Sequence, residues 1–284
     1  MKLHVLSDVH LEFQKCRNQS GLGNIDCDVH VLAGDIGVGL AGIEWALHNF
    51  SKPVIYVFGN HEFYGQRPMS ELWEKARKKV EGTHVHLLEN DVVILPDRFG
   101  ENVRFIGATL WTDFCILGQD QQHAMMEKAK HGMNDYMQIF VTRRGSRNIY
   151  AGIYESGTSQ PQRSGDWLTP RKTLSIHHDS RDFIEQALRD PSNNKWDKTV
   201  VVTHHAPSAK SLHGDDAYTS SDAGYASDLE YLVQKVDLWI HGHVHEAKEI
   251  NLPGGGRVLT NCRGYSDKGP HAVEWFDWKK LVEV

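Results

Sequence analysis

One stretch decides the fold of this chain: Val54-Ile55-Tyr56-Val57-Phe58-Gly59-Asn60-His61-Glu62. Its first five residues are β-branched or aromatic, a composition typical of a strand that is covered on both faces. Gly59 can adopt a positive φ, so the chain can turn sharply where this strand ends. Functional sites of open α/β sheets lie at such strand ends, which makes Asn60 and His61 candidate site residues. A polar turn that contains a histidine by chance is the alternative interpretation.

The composition limits the classes of function. The chain has 284 residues, of which 40% are hydrophobic, enough for one large core or two small ones. Its net charge of -6 argues against general nucleic-acid binding. Without a signal-peptide pattern, a membrane-length apolar run or a C-x-x-C pair, a soluble cytoplasmic protein with no membrane partner is expected. The 18 histidines suit metal binding, and no signal of an oligomeric state is present.

Polar side chains follow three strands that are predicted in the first part of the chain. These are residues 2–7, followed by Asp8 and His10, residues 28–33, followed by Asp35, and residues 54–58, followed by Asn60. If the backbone stays extended after residue 7, the side chains of Asp8 and His10 lie on the same side of the strand. A helix predicted at 41–50 joins the second strand to the third, and this order is typical of parallel strands. Since parallel strands end at one edge, these side chains are predicted to lie together.

The rest of the core is predicted to follow the same pattern. Helices are predicted at 68–80, 179–189 and 223–235, and strands at 84–88, 92–95, 103–108, 199–203, 236–240, 257–261 and 272–278. One of these strands runs into His204 and His205, and another is followed by His243 and His245. Five strand ends therefore have carboxylate, amide or imidazole groups. Borderline divalent metals bind such groups, and there are more of them than one ion needs.

The segment 111–180 has weaker regular patterns and is predicted to be an insertion or cap within a single domain of residues 1–284. A helix is expected within 125–136 and a long loop over 142–172. The part from 143 to 172 has six basic residues and two acidic ones. This cluster indicates either a solvated loop face or a contact to substrate.

Taken in order, these residues resemble the five motif blocks of the calcineurin-like metallophosphoesterase superfamily. The blocks are Asp8-x-His10, Gly34-Asp35, Gly59-Asn60-His61-Glu62, His204 and Gly242-His243-x-His245. They cover the chain from residue 1 to about 110 and from about 195 to 265. The resemblance implies an α/β fold, a four-layer α/β/β/α sandwich of two mixed β-sheets flanked by helices. The segment 111–180 would be a cap segment inserted into it.

The resemblance also implies a phosphoester hydrolase with two divalent metal ions, for which Mn, Fe or Zn, and also Co or Ni, are suitable. One ion would be bound by Asp8, His10 and His245, the other by Asn60, His204 and His243, with Asp35 bridging them. A hydroxide between the ions would attack phosphorus in line. His61 would contact the phosphate and protonate the leaving oxygen, so His61 and Asp35 are the predicted catalytic residues.

At one position the sequence departs from a branch of this superfamily, and the difference narrows the class of phosphoester that is expected as substrate. Asp35 is followed by Ile36-Gly37-Val38-Gly39, whereas the Ser/Thr protein phosphatase branch has an Asp-Arg-Gly element whose Arg binds a dianionic phosphate. A diester has one negative charge less, so a phosphodiesterase is expected. A phosphomonoesterase or protein phosphatase is the alternative, and a non-catalytic metal-binding scaffold is the third. The substrate would be a small-molecule phosphoester, with nucleotides among the candidates. Its predicted contacts are Asn60, His61, His205, Arg143, Arg144, Asn134 and Tyr136.

Overall fold

Two β-sheets stacked face to face form the centre of the fold. A computed structural model of the chain describes residues 1–13, 21–65, 68–142, 166–189, 195–212, 219, 221–266 and 273–284. The strands are β1 Lys2–Leu6, β2 Val29–Ala33, β3 Val54–Val57, β4 Val85–Leu87, β5 Asp91–Pro96, β6 Asn102–Ala108, β7 Phe140–Thr142, β8 Asp166–Trp167, β9 Lys198–Thr203, β10 Leu238–His241, β11 Ala247–Asn251, β12 Arg257–Asn261 and β13 Leu281–Glu283. The α-helices are α1 Ala41–Asn49, α2 Met69–Val80, α3 Gln122–Gly132, α4 Asp135–Gln138, α5 Pro170–Arg189 and α6 Glu230–Val233.

Both large sheets are mixed. The first has the order β13-β1-β2-β3-β4, and the second has the order β11-β12-β10-β9-β6-β5. Neighbouring strands from β1 to β4 are parallel, as are those in the run β12-β10-β9-β6, while the antiparallel strands lie at the edges. The helices pack on the outer faces, so the predicted four-layer sandwich is confirmed. The carboxyl ends of the parallel strands point to one end of the molecule, as predicted.

Aliphatic and aromatic side chains fill the space between the sheets. In β2, Val29, Val31 and Ala33 belong to this inter-sheet core, together with Phe105 of β6. Leu32 lies on the opposite face of β2 and packs in the separate core beneath α1 and α2. Full burial of one such side chain contributes about 1.5–3 kcal/mol. Because β2 is covered on both faces, the polar segment that follows it starts from a fixed position.

Two segments on the periphery differ from the sequence predictions. The predicted helix 223–235 is interrupted: a 3-10 turn at Asp222–Gly224 and the short α6 are separated by Ala226, which pairs with Ala206 as an isolated β-bridge. The predicted strand 272–278 is also wrong for its described part, residues 273–278, which form turns before β13. In both places hydrogen bonds to distant segments override the local pattern.

The segment 111–180 is more regular than predicted. The expected helix within 125–136 corresponds to α3 and α4, whereas α5 begins at Pro170 and not at 179. A proline fits the first turn of a helix because its missing N–H needs no partner there. The predicted loop 142–172 is wrong in its last part, because Asp166–Trp167 form β8, which pairs with β7, and α5 starts at Pro170. Residues 143–165 lie outside the described residues.

A pair of buried histidines joins β1 to β2. His4 Nδ1 lies 2.8 Å from His30 Nδ1, and His4 Nε2 lies 3.0 Å from the carbonyl oxygen of Trp278. Because a carbonyl can only accept, His4 Nε2 has the hydrogen, so neutral His4 accepts at Nδ1 from His30. Burial lowers the pKa of both rings, and together with the neighbouring His4 it brings the pKa of His30 to about 3.

We expect this pair to make the fold sensitive to acid. A lowered histidine pKa stabilises the fold fully above the unfolded value of about 6.5, and the contribution is lost as pH falls towards the folded value. His30→Leu should therefore reduce the slope of unfolding free energy against pH, near pH 5, by about 1.4 kcal/mol per pH unit. Urea denaturation between about pH 5 and pH 8 with a chelator present measures this slope. The control His123→Leu removes an exposed histidine of α3 and should leave the slope close to that of the wild type, and an unchanged slope in His30→Leu would contradict the prediction.

Candidate metal centre

The predicted ligands converge where the carboxyl ends of the two sheets meet. They are Asp8, His10, Asp35, Asn60, His204, His243 and His245, and all except His245 are buried. Among the described residues, three groups have ligand atoms within 4.8 Å of one another: Asp8, His10 and His245, then Asp35, His204 and His243, and a third, His10, Asp35 and His61, that lies between them. The first two contain only predicted ligands. These two groups correspond to the two halves of the predicted site.

Asp35 lies between the two groups. Its Oδ1 is 3.4 Å from His204 Nε2, and its Oδ2 is 3.9 Å from His10 Nε2. Oδ1 also accepts the backbone N–H of His61 at 2.8 Å. The two oxygens of one carboxylate therefore face opposite halves of the site, which is the arrangement that a bridging ligand requires.

In the first half, two imidazoles face each other across a short distance. His10 Nε2 lies 3.1 Å from His245 Nε2, and His245 Nε2 lies 3.4 Å from Asp8 Oδ1. Burial opposes the charge of Asp8, but the hydrogen bond from His245 and the charge of His204 hold its pKa below the usual range. Two imidazole nitrogens and an ionised carboxylate therefore point at one small volume, which fits a divalent cation.

The second half contains an imidazole nitrogen without a hydrogen bond. His243 Nε2 is buried and has no hydrogen-bond partner among the described residues, and burial followed by the charge of His204 lowers the pKa of His243 to about 3. His204 donates from Nδ1 to the carbonyl oxygen of Ala33 at 2.9 Å, which leaves its Nε2 3.1 Å from Asn60 Oδ1. The imidazole of His243 is thus buried and neutral, and the lone pair of its Nε2 is unused, which fits a metal ligand.

The electrostatics of the site also suit a cation. Burial opposes the charge of Asp35, but His204 and His61 hold its pKa well below the usual range. Burial likewise opposes protonation of His204, yet the charges of Asp35 and Asp8 raise its pKa to about 10. The buried carboxylates therefore favour positive charge at this position, and a cation that binds Nε2 would displace the proton of His204.

The backbone at the site is left-handed where an extended conformation was predicted. Asp8 and His10 have φ of 51° and 50°, so they follow β1 in two left-handed steps and do not continue it. Asp35, His243 and His245 have φ of 53°, 70° and 51°. Asp and His tolerate this conformation better than most residues, and such strain of about 1–3 kcal/mol per residue is found mainly at functional sites. The prediction that Asp8 and His10 share one side of a strand is therefore wrong, although their side chains do meet.

Glycines precede three of the predicted ligands because a neighbouring side chain occupies the space of a Cβ. At Gly242 a Cβ would lie 2.7 Å from Asp8 Oδ2 and 2.6 Å from the carbonyl oxygen of Ala33. At Gly59 it would overlap with Asp35 Oδ1. The Gly-Asn and Gly-His pairs of the sequence are thus explained by the close approach of ligands from other strands.

Glu62 binds the backbone of the two turns that contain Asp35 and Asn60, a role that the sequence did not suggest. Its carboxylate accepts the backbone N–H groups of Asp35, Ile36 and Gly59 at 3.0, 2.9 and 2.7 Å, and the hydroxyl of Tyr56 at 2.8 Å. Burial and the charge of Asp35 raise the pKa of Glu62 to about 7. One side chain therefore joins the turn after β2 to the turn after β3.

The predicted substrate contacts other than Asn60 and His61 occupy different places. Asn134 lines the cleft above the predicted ligands, whereas Tyr136 is buried in the apolar core with its hydroxyl 3.3 Å from Thr173 Oγ1. His205 is buried behind His243, with ring centroids 4.2 Å apart. Neither Tyr136 nor His205 lines the cleft. Arg143 and Arg144 lie outside the described residues.

Asp135, in the segment 111–180, contacts a predicted ligand. Its Oδ1 accepts from Asn60 Nδ2 at 2.8 Å and from the Tyr64 hydroxyl at 2.6 Å. Because Nδ2 donates to this carboxylate, Asn60 Oδ1 is the atom that faces His204. A residue of the segment 111–180 thereby orients the amide of the metal centre.

We therefore expect Asp135→Ala to weaken the binding of one of two metal ions. Loss of such an outer hydrogen bond typically lowers metal affinity about 10–100-fold. Asp135→Asn retains an acceptor oxygen and should keep more of the affinity. Calorimetric titration of the metal-free protein measures both ions, with Asp222→Ala as a control at another carboxylate of the same cleft. Equal affinities in Asp135→Ala and the wild type would show that Asn60 does not depend on Asp135.

The cleft over the site has a volume of about 480 Å³. Its walls come from the strand ends of both sheets, from the segment 111–180 and from the residues between β9 and β10. They include the tyrosines Tyr64, Tyr225 and Tyr265, the ligand candidates Asp35, Asn60, His243 and His245, and His61, Lys128, Asn134 and Asp222. A small organic ligand therefore fits above the predicted metal ligands.

The match to a family model extends over most of the chain. Residues 1–247 match the model of the calcineurin-like phosphoesterases. This chain is a calcineurin-like phosphoesterase. The family and the two ligand groups support metal-dependent phosphoester hydrolysis at a dinuclear site. The predicted resemblance is thereby confirmed.

No helix among the described residues is long and apolar enough to cross a membrane.

Two solved structures are similar to this calcineurin-like phosphoesterase. The phosphopantetheinyl hydrolase from Mycobacterium tuberculosis has 16% sequence identity and a TM-score of 0.62, over 92% of this chain and 88% of its own. A dimetal phosphatase from Danio rerio has 14% identity and a TM-score of 0.48, over 92% of this chain and 86% of its own. The first similarity supports the fold alone. No curated protein sequence matches the chain significantly.

Proposed function

We propose that this calcineurin-like phosphoesterase is a dinuclear metal-dependent phosphodiesterase. The observation that carries the proposal is the position of Asp35, whose two oxygens face separate groups of ligands. In the proposal Asp35 bridges the ions, with Asp8, His10 and His245 on one and Asn60, His204 and His243 on the other. The bound cations would polarise the phosphoryl group and lower the pKa of the attacking water. Mn, Fe, Zn, Co and Ni all suit this ligand set.

The protein's own groups would bind and orient the substrate. His61 Nε2 lies 3.9 Å from Asp35 Oδ2 and therefore faces the same volume as the metal ligands. Its ring is stacked on Tyr64, with centroids 4.3 Å apart, and its side chain is 8% exposed. In the proposal His61 contacts the phosphoryl group and delivers a proton from Nε2 to the leaving oxygen. Asn60 would also contact the phosphoryl group.

The charge of the cleft favours a diester over a monoester. Among the described residues that line it, Lys128 is the only lysine or arginine, whereas Asp135 and Asp222 are acidic in addition to the proposed bridging ligand Asp35. The segment after Asp35 begins with the buried Ile36, so it supplies no cation to a dianionic phosphate. A monoanionic diester suits this environment better.

The proposed substrate is a small-molecule phosphoester, with nucleotides among the candidates. Contacts from Arg143 and Arg144 to this substrate stay a prediction. A cytoplasmic location of the protein also stays a prediction.

Parallel kinetics on an aryl phosphodiester and the matching aryl monoester test the proposal. After reconstitution with Mn, Fe or Zn, kcat/KM should be at least about tenfold higher for the diester, a difference of about 1.4 kcal/mol in transition-state binding. The reverse preference would make the protein a phosphomonoesterase. Binding of both ions without turnover of either ester would instead indicate a non-catalytic scaffold.

A further inference from the structure

Glu12 contacts two histidines of the site with a single oxygen. Its Oε1 lies 3.1 Å from His10 Nδ1 and 2.9 Å from His61 Nδ1. The two imidazole rings meet edge to face, with centroids 4.4 Å apart. His10 is a proposed metal ligand and His61 the proposed proton donor, so one carboxylate joins the two functions of the centre.

The chemistry of a carboxylate determines what this contact does. An ionised carboxylate can only accept hydrogen bonds, so both Nδ1 atoms carry a hydrogen, and His61 as the proposed proton donor carries a second one on Nε2, as an imidazolium. The Nε2 atoms of both rings are thereby directed into the site: that of His10 lies 3.1 Å from His245 Nε2, and that of His61 lies 3.9 Å from Asp35 Oδ2. If Glu12 did not accept, either ring could rotate or change tautomer, and the reactive nitrogen would face away.

The position of Glu12 is fixed by the backbone around it. The 3-10 turn Leu11–Phe13 follows His10 directly, and the N–H of Phe13 donates to the carbonyl oxygen of His10 at 3.0 Å. The N–H of Leu11 donates to the carbonyl oxygen of Ile36 at 3.0 Å, which joins this turn to the one that contains Asp35. The Glu12 residue lies at the surface, but only 19% of its side chain is exposed, because the carboxylate points towards the two histidines.

We infer that Glu12 is a positioning residue that holds His10 as a metal ligand and His61 as a proton donor through the same oxygen. The inference rests on the proposed function, because it assigns Glu12 to the roles that these histidines have there. It extends the Asp8-x-His10 block by two residues, to Asp8-x-His10-x-Glu12. Glu12 itself does not contact the reacting atoms.

Two substitutions of similar size separate hydrogen bonding from packing. Glu12→Gln retains an acceptor oxygen, and Glu12→Met fills similar space without one. In the metal-free protein, long-range ¹H–¹⁵N spectra report the tautomer of each imidazole, and His10→Ala and His61→Ala assign the two signals. At a pH at which both rings are neutral, the wild type and Glu12→Gln should have hydrogen on Nδ1 of both rings, whereas Glu12→Met should show mixed tautomers. Identical spectra for Glu12→Gln and Glu12→Met would overturn the inference without any measurement of activity.

Kinetics of the metal-loaded enzyme complete the test. Glu12→Met should lower kcat about 10–100-fold on a diester with a poor leaving group and less on an activated aryl diester, and Glu12→Gln should fall between it and the wild type. In the His61→Ala background the same change should cost much less, because the proton donor is already absent. If His61→Ala lowers kcat but Glu12→Met equals the wild type, the inference fails while the proposed function stands. If His61→Ala has no effect on a diester that the enzyme hydrolyses, the proton-donor role of His61 fails and the inference about Glu12 fails with it. Absence of turnover of both esters would instead overturn the proposed function.

Discussion

Asp35→Ala is expected to bind no metal and to have no measurable turnover. Asp35 is the one predicted ligand whose oxygens face both groups, at 3.4 Å from His204 and 3.9 Å from His10. Its loss would therefore remove a charged ligand from both ions at once. Elemental analysis of the purified variant should give a metal content near zero. A variant that retained one equivalent would show that Asp35 belongs to one ion only.

Thermal unfolding distinguishes loss of binding from loss of folding. At a free metal concentration 100 times Kd, bound metal stabilises the wild type by about 2.7 kcal/mol per site, so its Tm should rise when metal is added. The Tm of Asp35→Ala should be independent of metal, while its cooperative transition should remain, because the inter-sheet core does not include this residue. Asp35→Asn retains an acceptor for the N–H of His61 and is the matched control. If Asp35→Asn binds both ions, the negative charge of Asp35 is dispensable.

The fold was predictable where the sequence is locally consistent. The run Val54–Val57 is apolar on both faces and is closely followed by Gly59. This one short pattern predicts a buried strand, the residue at which it ends and the polar side chains that follow it. The edge strand Ala247–Asn251 was missed because its only apolar residues, Ala247 and Ile250, are three positions apart, so apolar and polar residues do not alternate along it. The helix predicted at 223–235 failed because Ala226 pairs with a segment 20 residues away along the chain.

The candidate ligands could be found from the sequence because each follows a buried strand, and parallel strands bring their ends together. The residues that orient them could not. Glu12, Glu62 and Asp135 act through hydrogen bonds to partners 49, 26 and 75 residues away in the sequence. No periodicity connects such pairs. The acceptor geometry of a carboxylate becomes informative only when its donors are in place.

His61→Ala is expected to keep both metal ions and lose most of its turnover on demanding substrates. His61 contacts the predicted ligands through its backbone N–H, which donates to Asp35 Oδ1 at 2.8 Å and is present in alanine as well. Metal content and phosphate binding should therefore persist. Loss of a proton donor typically lowers the rate about 10²–10⁴-fold, so kcat for a diester with an alkoxide leaving group should fall by this factor.

The dependence on the leaving group decides how His61 acts. An activated aryl oxide leaves without a proton, so its diester should lose far less than the alkyl diester in His61→Ala. A plot of log kcat against leaving-group pKa should accordingly become steeper in the variant. His61 Nε2 faces the same volume as Asp35 Oδ2, at 3.9 Å, so an electrostatic role is the competing explanation. That role stabilises the phosphoryl group of every ester equally, and an equal loss on good and poor leaving groups would replace proton donation by charge stabilisation.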